Sequence, residues 1–148
     1  MNDQILTESE IADLRCIAGM IIPASDKHGI PGADDQMIFA DIVNSIGRDR
    51  DNVLEALAKL RTLASGPFVT LDATRRREVA GRLRAEGGRP IGVLTRIVLL
   101  CYYRDDRVMS SLGLEVRPPF PKGHIVEQGD WSLLDLVRSR KPFWRQSS

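Results

Sequence analysis

Histidine and cysteine are scarce in this chain of 148 residues, with two of each. Cys16 and Cys101 stand far apart and outside any Cys-x-x-Cys pattern, and His28 and His124 have no second histidine or cysteine at ligand spacing. This excludes the usual signatures of a zinc ribbon, a c-type haem attachment and a dithiol redox pair. Each cysteine lies in an apolar helical stretch, where a free thiol reads as a small core residue. The dinucleotide fingerprint GxGxxG, the P-loop, the nucleophile elbow and HExxH are missing as well. No self-contained catalytic constellation is visible.

Strict alternation of apolar and polar residues, the mark of half-buried strands, is absent. So are long hydrophobic runs. The most apolar stretch, 97–103, is bounded by Arg96 and Arg104 and is far too short to cross a bilayer. The opening MNDQILTESEIADL has no basic n-region, no apolar h-region and no twin arginine. The expectation is a cytoplasmic protein with no membrane span, unless a partner carries an export address or a preceding signal has been removed. Lysine is also scarce, with 4 against 17 arginines, and the net charge is only +1. No global pull toward nucleic acid follows from that balance, while arginine suits planar ion pairs and protein interfaces.

What is present reads as helix after helix. Thr7 and Glu10 have capping-box spacing, with Leu6 and Ile11 in the hydrophobic-staple positions around them. Ile11, Leu14, Ala18 and Ile21 follow at helical period until Pro23 stops the run. Residues 23–35, PASDKHGIPGADD, read as a structured loop. Asp34 and Asp35 suit the start of a second helix, whose apolar residues are Met37, Phe39, Ile42, Val43 and Ile46, with Gly47 as its cap. A third helix carries a stripe of Leu54, Leu57, Leu60 and Leu63 or Ala64 and ends at Gly66–Pro67. A fourth runs from Asp72 to Gly87–Gly88. A fifth, Pro90 to Tyr103, opens on proline and is apolar nearly all round over 97–103, which predicts a central helix covered on several sides. A short helix from Asp105 to Leu112 closes at Gly113. The expected fold is an all-α bundle of five to six helices over 1–113. An extended Pro-rich C-terminal arm, 114–148, follows in the same domain unit, with one short helix near Trp131 to Arg138.

Three features bear on chemistry. Arg75, Arg76 and Arg77, with Arg82, Arg84 and Arg89, form the densest basic patch, read first as a solvated helix face because Phe68 is the only aromatic nearby. The pairs Asp34–Asp35 and Asp105–Asp106 point about 100° apart at helix starts, so they read as caps rather than converging carboxylates. The arm is the third. RPPFPKGHIVEQGDW, 117–131, has three prolines and suits neither a helix nor a central strand. The arm nevertheless holds both tryptophans, Trp131 and Trp144, with Phe120 and Phe143, more aromatic surface than a disordered tail carries. It covers its own bundle, grips another polypeptide, or, in the favoured reading, does both, with the Pro-rich part on the bundle and the aromatic end on a partner.

Three stretches carry a family resemblance: ADLRCIAGMIIPASDKHGIPGADDQMIFADIV (12–43), VLLCYYRDDRVMSSLG (98–113) and RPPFPKGHIVEQGDWSLLDLVRSRKPFWR (117–145). In order and spacing the chain resembles the gluconate 2-dehydrogenase subunit 3 family, the small subunit of FAD-dependent sugar dehydrogenases. The resemblance covers about half the chain; 44–97 match only as generic helices. It implies a non-catalytic accessory subunit with no cofactor of its own. It also implies a large flavoprotein partner of the glucose–methanol–choline type, which holds FAD and passes electrons to a cytochrome or other acceptor. Many members begin with a twin-arginine signal, which this sequence does not show. The residues expected at the partner are Tyr102, Tyr103, Arg117, Pro118, Pro119, Phe120, Trp131, Phe143, Trp144 and Arg145, with the loop through PGADD as a second contact. Two competing readings remain: a helical nucleic-acid-binding regulator using Arg75 to Arg84, and a self-contained helical enzyme.

Overall fold

The structure, a computed structural model, describes residues 6–116 and 128–141. The chain divides into two compact units, Met1–Val116 and Arg117–Ser148. Among the described residues there is no strand, only one isolated bridge between Ser25 and Ile30, and the fold is all-α.

In the first unit, α1 spans Glu8–Ile21. The Thr7 side chain accepts from the Glu10 backbone N–H and the Glu10 carboxylate accepts from the Thr7 N–H, so both halves of the capping box form. Leu6 is buried and Ile11 packs against the core, which seats the helix entry. The chain then turns through a short 3-10 segment, Asp26–His28, into α2, Gln36–Ser45. The Asp35 carboxylate caps α2 by accepting from the N–H groups of Met37 and Ile38.

α2 corrects the sequence expectation in one respect. Met37 points outward at 68% exposure, while Ile38 is buried with Phe39, Ile42 and Ile46. Both residues are apolar, so the helical phase could be set one residue off; the cap at Asp35 fixes which of them faces inward.

α3, Arg50–Ala64, buries Val53, Ala56, Leu57, Leu60 and Ala64. The expected stripe is therefore rotated slightly, leaving Leu54 and Leu63 on its flanks, partly buried. Ser65 ends α3 in the left-handed region, φ 59° and ψ 32°, and the Gly66 N–H closes back on the Arg61 carbonyl. α4, Ala73–Glu86, is capped by Asp72, buries only Val79 and Leu83, and stops at Gly87 with φ 60°.

α5, Arg89–Tyr103, is the central helix, packed against α3 and α2, and also against α1 and α6, Asp106–Ser111. Leu94, Ile97, Val98, Cys101 and Tyr102 are buried. The helix is central and covered on several sides, as 97–103 indicates, yet one side stays open: Leu99 and Leu100 are exposed, and so is Tyr103. In the second unit a 3-10 turn, Trp131–Leu134, runs directly into α7, Asp135–Arg138, at the place the sequence indicates.

One polar group lies at the centre of the first unit. Asp13, on α1, is fully buried. Its carboxylate accepts from Arg61 Nε of α3 at 2.6 Å and from the Val69 N–H, in the turn after α3, at 2.9 Å. Arg61 also reaches Ser9 Oγ. A buried carboxylate survives in a protein when strong donors replace water, and here one side chain ties together α1, α3 and the approach to α4.

Candidate partner-binding site

Two of the three resembling stretches meet in space. The loop before α2 is held down by its glycines. A Cβ on Gly32 would lie 2.5 Å from Asp34 Oδ1 and 2.8 Å from the Ala24 backbone nitrogen, so only glycine lets the loop pass there. A Cβ on Gly19, inside α1, would meet the Asp34 side chain at 2.8 Å. Arg15 fixes the same corner: its Nε donates to the Asp34 carbonyl at 2.9 Å while its guanidinium lies 5.5 Å from the Phe39 ring centroid.

The end of α5 and the start of α6 close over this loop. Tyr102 is buried, and its hydroxyl donates to the Pro31 carbonyl at 3.1 Å. Burial pushes its phenol above the ordinary value, which keeps it a neutral donor. Arg107 reaches Asp35 Oδ1 at 2.7 Å and Asp105 Oδ2 at 3.0 Å. Its hydrogen bonds hold both carboxyls below the ordinary value of 3.8, and the two carboxylates hold the guanidinium firmly charged. Asp105 also caps α6 through the Arg107 and Val108 N–H groups. Arg104 grips Asp41 with two donors and also reaches Ser45. Next to these pairs lies an open hollow of about 540 Å³ lined by Met37, Asp41, Cys101, Arg104 and Arg107.

In each acidic pair one member, Asp35 or Asp105, is both helix cap and ion-pair partner. Among the described residues no group of three or more histidine, cysteine, aspartate or glutamate side chains is arranged to hold a metal ion. No described helix is long and apolar enough to cross a membrane. Both thiols are free, and burial raises both above their ordinary value.

Of the residues expected at a partner, Tyr102 and Tyr103 divide their roles. Tyr102 is an internal strut. Tyr103 stands edge-on to it, with ring centroids 5.2 Å apart, and is 53% exposed. One helical turn back on the same face are Leu99 and Leu100, the latter 55% exposed. Trp131 is 59% exposed within the second unit, its indole N–H donating to Gln128 Oε1 at 3.2 Å. Arg117, Pro118, Pro119, Phe120, Phe143, Trp144 and Arg145 lie outside the described residues.

Sequence reasoning passed over Leu99 and Leu100, whose exposure depends on which faces the neighbouring helices cover. It also passed over Arg107 and Arg104, whose partners Asp35 and Asp41 lie 72 and 63 residues away along the chain. Comparison with family models, curated proteins and solved structures finds no match to this chain.

Proposed function

We propose that the chain is a non-catalytic small subunit that binds and stabilises a large FAD-dependent dehydrogenase of the glucose–methanol–choline type, acting on a sugar or glycoside. Flavin, substrate and electron transfer to a cytochrome or other acceptor belong to the partner in this reading. It rests on the resemblance of the three quoted stretches. The observation that carries it is the bare apolar face of the central helix, Leu99, Leu100 and Tyr103, beside the latch formed by Tyr102, Pro31, Arg107 and Asp35. Adjacent exposed leucines and a tyrosine on the most buried helix are poor solvent-facing choices and good interface anchors.

Co-expression with a flavoprotein of that class is the test. Expected is a stable complex that reduces a dye acceptor with sugar, while the chain alone does not. A flavoprotein equally soluble and active without the chain, or turnover of sugar by the purified chain alone, overturns the reading. For the nucleic-acid alternative, Arg75 to Arg84 is a weak footprint: Arg75 pairs with Glu78, and Arg76 donates to the Val69 carbonyl. A salt-sensitive gel shift with duplex DNA, lost on charge reversal at Arg82 and Arg84, would revive it.

A further inference from the structure

A second apolar surface lies toward the start of α5. A groove of about 490 Å³ opens between α1, α4 and α5, floored by Ile17, Leu83 and Leu94 and flanked by Met20 and Ile91. Its α4 wall contains Gly81, in the helix interior, where an added Cβ would meet nothing within 4 Å. A glycine there weakens the helix, and no close approach among the described residues calls for one. Arg84 is the one charged side chain among the lining residues, and it pairs with no carboxylate among the described residues.

We infer that this groove seats an amphipathic, acidic-flanked helix of a partner protein. Apolar side chains at i, i+3 or i+4 and i+7 enter between Met20, Leu83 and Ile91. The partner backbone approaches over Gly81, and a glutamate or aspartate on its flank meets Arg84. The missing Cβ favours a helix over an acyl chain, which needs no backbone clearance. The inference rests on the proposed function only for the identity of the partner.

The full chain is titrated against a labelled peptide of roughly 18 residues, five helical turns, with leucine on one face and glutamate on the rest, and against its lysine-for-glutamate twin. Expected is at least about tenfold tighter binding of the glutamate peptide at low salt, a difference that shrinks as salt rises. Gly81→Leu fills the groove in open space. It is expected to weaken binding by about tenfold or more without lowering the melting temperature, because leucine is the better helix former. Arg84→Glu is expected to erase the preference for the acidic peptide.

Equal binding of the two peptides, no binding of either, or unchanged binding by Gly81→Leu overturns the inference. So does a wild-type dimer that Gly81→Leu converts to monomer, since the occupant would then be a second copy. The flavoprotein complex gives the separate check. If Gly81→Leu still co-purifies with the flavoprotein, the groove is not its seat and the proposed function stands. If the peptide results hold and no flavoprotein binds, the groove stands and the proposed partner falls.

Discussion

Asp13 has exchanged water for two donors, Arg61 and the Val69 N–H, and this makes it the most sensitive single side chain in the first unit. Asp13→Ala strands a guanidinium and a backbone donor together. With Arg61 still partly hydrated, the loss is expected at about 3 kcal/mol, the low end for breaking a buried pair; Asp13→Asn, which keeps an acceptor, costs less. Urea unfolding of the two variants measures the difference. The sequence could not reveal this: a lone aspartate in the first turns of a helix reads as a dipole-compensating surface residue, and its partners lie 48 and 56 positions away. The thiols were more readable. Cys101 is buried with its thiol pushed up, so it is expected to react with a thiol reagent at neutral pH only after denaturant is added.

At the scale of elements, local chemistry made most helix boundaries readable. Thr7–Glu10, Asp72, Asp105, Gly87 and Gly113 act through neighbours a few residues away, and each marks a helix end in the structure. Faces were less readable where two apolar residues adjoin, as at Met37–Ile38 and Leu99–Leu100, because periodicity ranks positions without saying what the neighbouring helices cover. One boundary departs from the usual chemistry. Ser65 ends α3 in a left-handed conformation that disfavours an L side chain. Ser65→Gly is expected to raise stability by about 1 kcal/mol, visible as a higher melting temperature. The junction of α2 and α6 gives a pH signature. Asp35 and Asp105 have folded-state values below 3.8, so the stability they contribute is complete above that pH and is lost as pH falls through and below it. Arg107→Gln is expected to be less stable than wild type at pH 6, with the gap closing toward pH 3; acid titrations followed by circular dichroism test this.

For the whole molecule, the division at residue 116 matters most. The sequence reading ends the bundle at 113, with the glycine that closes α6, and keeps the arm, 114–148, in the same domain unit; the compact units of the structure are Met1–Val116 and Arg117–Ser148. A chain cut after Val116 is expected to keep most of its helical signal, because among the described residues the buried core lies before that point. If the arm is the principal anchor, that truncation also loses the flavoprotein; if the α5 face is, co-purification persists. Loss of helical signal on truncation would instead make the arm an internal clamp. The same α5 face predicts behaviour in isolation: the purified chain should self-associate, and Leu100→Glu should disperse it without altering its circular dichroism, as light scattering would report.

Arg107 has a further consequence. Asp35 begins one helix and Asp105 begins another, and a single guanidinium holds both carboxylates. Withdrawing that cation loosens two helix starts at once, though they lie far apart along the backbone. In amide exchange the first turns of α2 and α6 should therefore gain and lose protection together, as one hinge rather than two frayed ends.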